Sequence, residues 1–251
     1  MNKKSIISDK RFILLFLAVF VVALMVYLSD YNYTPFWITF KLAFLTTTIL
    51  LVISIPVSYF ISYSKSKTKF LLESFVSLPI VLPPTVLGYY FIVALGPRSS
   101  VGRFLEDNLG LSLIFSFEGI LLGSIIYCLP FMVYPIVNGF RNLPRSMIES
   151  AQLLGKSKRN ILWHVIIPNN RGAIASGVLL SFAHTIGEFG VVLMIGGNIP
   201  ETRVASIAIY DEMNQMNYES ADHLALVLLA FSFILIVAIH FIRNTKKKNF
   251  A

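Results

Sequence analysis

One cysteine in 251 residues, Cys128, excludes an intrachain disulfide and any metal site built on several thiolates. Charge is scarce as well: Asp, Glu, Lys and Arg make up 14% of the chain, against about 25% in soluble domains. No low-complexity tract and no repeat of fixed period interrupts it. A phosphate-binding loop is also missing. Gly155-Lys156-Ser157 looks like the tail of G-x-x-x-x-G-K-[ST], but Ser150 stands where the first glycine belongs, and no strand precedes it. Most telling, no long apolar run carries Lys or Arg in its middle, and Lys41 lies near the start of one.

What is present in excess is apolar: 56% of residues, in long blocks. A hydrocarbon layer about 30 Å thick takes roughly 20 residues of helix to cross. Runs of this kind occupy Phe12–Leu28, Phe40–Tyr63, Phe70–Leu95, Ser116–Phe140, Ala173–Ile195 and Leu224–Ile242, which predicts an all-α polytopic membrane protein with about six transmembrane helices. The first run is too long for a signal peptide, and no small-x-small cleavage site follows it, so it reads as a retained span.

Seventeen basic residues lie in the N-tail, the second and fourth connections and the C-tail, against three (Arg98, Arg103 and Arg203) in the others. That bias predicts both termini on the cytoplasmic side. The net charge of +8 then reports topology and attraction to anionic lipid, and requires no nucleic-acid partner. Among the opposite connections, GPRSSVGRFLEDNLG predicts a short helix at Val101–Asn108. The longest one contains VASIAIY, apolar enough to fold onto the membrane surface or into the mouth of the bundle.

The fourth connection, RNLPRSMIESAQLLGKSKRNILWHVIIPNNRG, has its own punctuation. Apolar residues fall at helical spacing from Met147 to Leu154, Gly155 ends the run, and a lysine-rich turn leads to a second short helix ending at Pro168. Ser146 followed three residues later by Glu149 predicts a capping box. The whole reads as a helix–turn–helix between spans four and five.

This segment resembles the cytoplasmic signature of ABC importer permeases, E-A-A-x3-G-x9-I-x-L-P. Glu149, Ala151, Gly155 and Pro168 match it, while Ser150, Val165 and Ile167 replace alanine, isoleucine and leucine at the same spacing. The resemblance implies a coupling helix seated in a separate ATPase subunit, so that ATP and Mg bind the partner and this chain binds no cofactor of its own. LPIVLPPTVLGYY (Leu78–Tyr90), FAHTIGEFGVVLMIGGNIPETR (Phe182–Arg203) and AIY (Ala208–Tyr210) resemble the molybdate permease branch, part of which sulfate and tungstate permeases share. Implied in turn are a homodimer of this chain, two ATPase subunits, an extracytoplasmic oxyanion-binding protein, and residence in a prokaryotic cytoplasmic membrane. The division expected is a tail, first span and turn (1–39), a permease domain (40–243) and a basic tail (244–251).

Two spans are chemically irregular. In the third, Pro79, Pro83 and Pro84 remove three backbone donors, which predicts a kink, with Thr85 and Gly88 able to meet freed carbonyls or let another helix approach. In the fifth, Glu188 is a carboxylate near the span centre, with His184 four residues before it, so that one helical face would carry both. His184, Gly187, Glu188, Phe189, Gly190 and Asn198 join Pro83, Pro84, Thr85 and Gly88 as pathway or gate candidates. The pair supplies two ligands with no evident third, so no metal site is expected. A proton relay through it, in a secondary anion transporter, is the rival of another class. Nothing resembles a Ser/Lys or paired-Asp catalytic arrangement.

Overall fold

The computed structural model describes residues 32–247, and every regular element among them is helical. The first expected span, Phe12–Leu28, lies outside the described residues.

Helix α1 (Thr34–Tyr63) begins six residues before the expected span because Pro35 sits in its first turn, where a fixed φ and a missing N–H cost nothing. It continues through Pro56 and is about 45 Å long. The third expected span is not one kinked helix. It breaks into α2 (Lys69–Val81) and α3 (Pro84–Leu95), bent by 115°. Pro83 and Pro84 supply no donors to continue α2, which closes instead through Leu82 N–H on the Leu78 carbonyl at 3.1 Å. The Pro83 carbonyl then receives Val86 and Leu87 N–H at 3.0 and 3.2 Å and starts α3.

Helix α4 (Ser100–Leu109) matches the expected short helix, capped by the Ser99 hydroxyl on Gly102 N–H and closed by Gly110 at φ +63°. Helix α5 (Phe117–Arg141) follows Ser116, whose hydroxyl accepts Gly119 N–H. Next come α6 (Arg145–Leu153), α7 (Lys158–Ile161), a π-helical turn over Leu162–Ile166, and α8 (Ile167–Asn169). The fifth expected span is also broken, into α9 (Arg171–Ile186) and α10 (Gly190–Gly196), at an angle of 58°. Helices α11 (Ala205–Asn214) and α12 (Tyr218–Lys247) complete the order.

Helices α1 and α5 are each long and apolar enough to cross a membrane; the pairs α2–α3 and α9–α10 reach that length only together. By length and composition the described residues thus offer two to four candidate spans, and the count of six is tested only in that part. The last expected run, Leu224–Ile242, lies within α12 and extends past the residues whose side chains are described.

The bundle is organised around α5. Its Val133 and Phe140 carbonyls accept the hydroxyls of Ser58 and Tyr63 on α1, at 3.3 and 2.7 Å. One buried cluster joins Ile38 and Leu42 of α1, Leu87 of α3, Ile120 of α5, Val191 and Ile195 of α10, and Ile207 of α11. A second, towards Arg141, joins Leu50 of α1 and Ile136 and Phe140 of α5 to Ala151, Ile161 and Ile166 of the segment after α5. Outward faces stay apolar, with Trp37, Phe44, Phe75, Val81 and Leu229 exposed. Water would penalise such a surface; lipid or another subunit would cover it.

Candidate functional site

The two broken helices meet at their breaks. Gly190 opens α10 against the start of α3, so close that a Cβ there would lie 2.7 Å from Pro84 Cβ. One turn on, a Cβ on Gly88 would lie 2.5 Å from Met194 Cβ. Carbon atoms in contact sit about 3.5–4.0 Å apart, so only glycine permits this spacing. The opposite face of α10 is held by α5 in the same way: a Cβ on Gly123 would meet Ile195 Cδ1 at 2.5 Å and Val191 Cγ1 at 2.9 Å. Helix α10 is thus clamped between α3 and α5, and Pro84, Gly88 and Gly190 share one seam. Pro83 and Thr85, beside it, are exposed.

Between α9 and α10 lies Glu188. Its side chain is 5% exposed, and neither carboxyl oxygen has a hydrogen-bond partner. Ser124 of α5 lies beside the carboxyl group, also without a partner in bonding geometry. Tyr127 and Cys128 face it from the same helix. Cys128 Sγ is 3.2 Å from Thr185 Oγ1, which itself donates to the Ser181 carbonyl at 2.8 Å. The backbone of Glu188 is held from a third side, where Ser206 of α11 donates to its carbonyl at 2.6 Å. The neighbouring ring of Phe189 rests 5.0 Å from that of Tyr210.

His184 does not share this site through the expected helical face. Helix α9 ends at Ile186, so the four-residue spacing to Glu188 spans a break where the i,i+4 geometry no longer holds. The imidazole stacks instead on Phe131 at 3.9 Å and lies 5.1 Å from Tyr127. Gly187 makes no close approach, a Cβ there meeting only the His184 carbonyl at 3.9 Å, and Asn198 is exposed in the connection after α10. Among the described residues, no three His, Cys, Asp or Glu side chains converge as a metal would require.

The segment after α5 has a different geometry. Glu149 and Ser150 are exposed on α6, while Ala151 turns into the bundle core. Gly155 takes φ +73° with open space around it, and so turns the chain where an L-residue would be strained. The expected capping box is absent: α6 starts directly after Pro144, which places Ser146 inside the first turn, and no side chain caps it. The cap falls at the second helix, where Ser157 Oγ accepts Asn160 N–H at 3.3 Å. Pro168 does not end that helical run, which continues to Asn169. The preceding π-turn, closed by Ile167 N–H on the Leu162 carbonyl, widens the helix just where Pro168 withholds its donor. Val165, Ile167 and Pro168 are half-buried; Leu153 and Leu154 at the tip are 89% and 78% exposed.

Fixed cations stand at the ends of the bundle. Lys41 Nζ lies 4.2 Å above the Phe117 ring, Arg203 pairs with Asp211 at 2.6 Å and Glu212 at 3.4 Å, and Arg141 pairs with Glu73 at 3.1 Å. The side chains around the Glu188 carboxyl group, the Glu73–Arg141 pair and the Ser206 bond bring together residues that no sequence spacing announces.

Residues 54–245 match the family model described as the binding-protein-dependent transport system inner membrane component. The molybdenum transport system permease protein ModB of Azotobacter vinelandii is 40% identical, over 87% of this chain and 97% of its own. Its counterpart in Escherichia coli K12 is 30% identical, over 80% and 90%. A probable sulfate transport system permease protein, cysT of Prototheca wickerhamii, is 30% identical, over 80% and 79%. A bacterial ABC transporter involved in the import of the acidic polysaccharide alginate shares the fold, with a TM-score of 0.64 over 98% of this chain and 94% of that one at 15% identity. The chain belongs to the family of binding-protein-dependent transport system inner membrane components.

Proposed function

We propose that this chain is the permease subunit of an ATP-driven importer of a tetrahedral oxyanion, molybdate foremost. The observation that carries the reading is its similarity along almost its whole length to molybdenum permeases. The sulfate relatives favour the shared chemistry, a doubly charged tetrahedral anion, over any other class of cargo. Cations held at the ends of the bundle suit such a cargo, since a fixed cation midway would trap the anion and slow its release.

In this reading two copies of the chain form the path, and an extracytoplasmic binding protein delivers the anion. Both termini and the 145–169 segment are cytoplasmic. Two ATPase subunits bind the nucleotide and magnesium. Glu149, Ser150, Ala151, Gly155, Val165, Ile167 and Pro168 form the coupling element, seated on the ATPase by its exposed Leu153–Leu154 tip. Ala151, Ile161 and Ile166 pass its displacement to α1 and α5, with which they share a core. The seam of Pro84, Gly88 and Gly190, with the buried Glu188 behind it, is the gate.

Reconstitution tests this. Liposomes holding this chain with its ATPase subunits should accumulate labelled molybdate only with ATP and the binding protein, and in preference to sulfate. Accumulation by the chain alone, or uptake that collapses with the proton gradient while ATP is present, would overturn the reading.

A further inference from the structure

A break inside a span frees backbone groups that no water in a hydrocarbon layer can satisfy. One such group near the gate is met from a helix outside the broken span, and that helix is itself anchored at its start. The Glu188 carbonyl, at the bend between α9 and α10, accepts the Ser206 hydroxyl at 2.6 Å. The N–H of Ala205, an orphan donor of the first turn of α11, bonds to Thr39 Oγ1 of α1 at 2.8 Å. That hydroxyl is itself fixed by donating to the Pro35 carbonyl at 2.8 Å. Adjacent residues of α11 therefore bind helix α1 and the bend of the broken span. Val204, Ala205, Ile207 and Ala208 are buried around this junction, so α11 is inserted in the bundle. Its far end emerges with Met213 exposed and leads into Met216 and Tyr218, exposed at the turn to α12.

We propose that Ser206 is a positioning residue of the gate: its bond to the Glu188 carbonyl makes the bend of the broken span follow α11, so that a partner pressing on the exposed end of α11 resets the gate. This rests on the function proposed above, whose topology puts that end outside, where the binding protein arrives. Thr39 is the fixed pivot, Ser206 the moving link, and the Phe189–Tyr210 contact limits rotation between them. The Glu188 side chain can then keep facing Ser124 while its backbone carbonyl is drawn from the other side.

The test uses the full reconstituted complex and reads the ratio of ATPase rates with and without molybdate-loaded binding protein. Ser206→Ala should lower that stimulation about fivefold, within a range of about twofold to tenfold, the population shift set by one ordinary hydrogen bond, without weakening the apparent affinity for the binding protein. Ser206→Thr, which keeps the hydroxyl, should restore it. Ser176→Ala, which removes a hydroxyl bonded to the Gly172 carbonyl of its own helix, should match the wild type. Wild-type stimulation in Ser206→Ala, or a Ser206→Thr variant as defective as Ser206→Ala, would overturn the proposal. If the wild-type complex itself shows no stimulation, the functional reading fails separately, and hydrogen exchange on the full chain decides the link. Amides 187–191 and those of α11 should then exchange faster together in Ser206→Ala; unchanged exchange at 187–191 would refute it.

Discussion

Replacing Gly88 with alanine adds one methyl group at the tightest point between α3 and α10. That methyl would sit 2.5 Å from Met194 Cβ and 3.1 Å from Met194 Cγ. Contact distance is about 3.5–4.0 Å, so roughly 1 Å of separation must be found. A rotamer change cannot supply it, because Cβ is rigidly fixed to the α10 backbone. Nor can α10 retreat freely, with Gly123 of α5 already against Val191 and Ile195 on its other face. Overpacking of this kind costs about 1–3 kcal/mol. If α3 and α10 touch in only one of the two transport states, the whole of that cost falls on one side of the equilibrium. The population shift is then about 5-fold to 150-fold.

The assay compares Gly88→Ala with Gly172→Ala, where nothing lies within 4 Å of the added methyl. Both variants should reach the membrane in wild-type amounts. Gly172→Ala should transport normally. Gly88→Ala should lose most ATP-driven uptake while its ATPase runs without needing the binding protein, because the closed seam no longer holds the resting state. Equal uptake by the two variants would refute the reasoning, since it would mean that this seam never has to close.

Further consequences follow from other elements. Gly155→Val places a β-branched residue at φ +73° in open space, so the chain should fold and insert, yet uptake per ATP hydrolysed should fall at least about tenfold; Gly155→Asn, which tolerates that region, should retain most of it. Glu188→Gln keeps the shape of a side chain whose oxygens have no cationic partner, so uptake should stay within about threefold of wild type, whereas Glu188→Ala, which leaves a cavity beside Ser124, should melt earlier in a thermal assay. A Glu188→Gln variant without transport would show that the gate needs a charge there. Arg141→Ala removes an ion pair whose side chains are 43% and 31% exposed, so unfolding should shift by less than about 1 kcal/mol, and the difference should vanish in high salt.

Local chemistry made much of this molecule legible. Apolar run length located α1 and α5, the connection GPRSSVGRFLEDNLG showed the short helix α4, and VASIAIY was apolar enough to mark a segment that folds back, though not as the helix α11. Proline placed the break in the third expected span but not its size. A sequence shows that Pro83 and Pro84 withhold donors; whether the chain then kinks or turns through 115° depends on what receives the second half. Here the receiver is α10, a helix about a hundred residues away in sequence, with a glycine at the matching position. The spacing of His184 and Glu188 failed for a related reason. It presumed an unbroken helix, while Gly187 and Gly190 flank a bend that α3 and α5 stabilise from outside.

These failures share a cause that bears on mechanism. A long apolar run is held together by its own i→i−4 bonds, and its sequence therefore describes it. A broken span has given up some of those bonds and relies on other helices to replace them: Ser206 for the Glu188 carbonyl, Gly88 and Gly190 for close approach, Ser124 for company beside a buried carboxyl group. Such an element is set by its neighbours, so moving the neighbours moves it. The segment 145–169, sharing a core with α1 and α5, and α11, bonded to α1 and to the bend, are the two neighbours that reach opposite ends of the bundle. The helices least predictable from their own residues are therefore the ones best placed to answer to both ends.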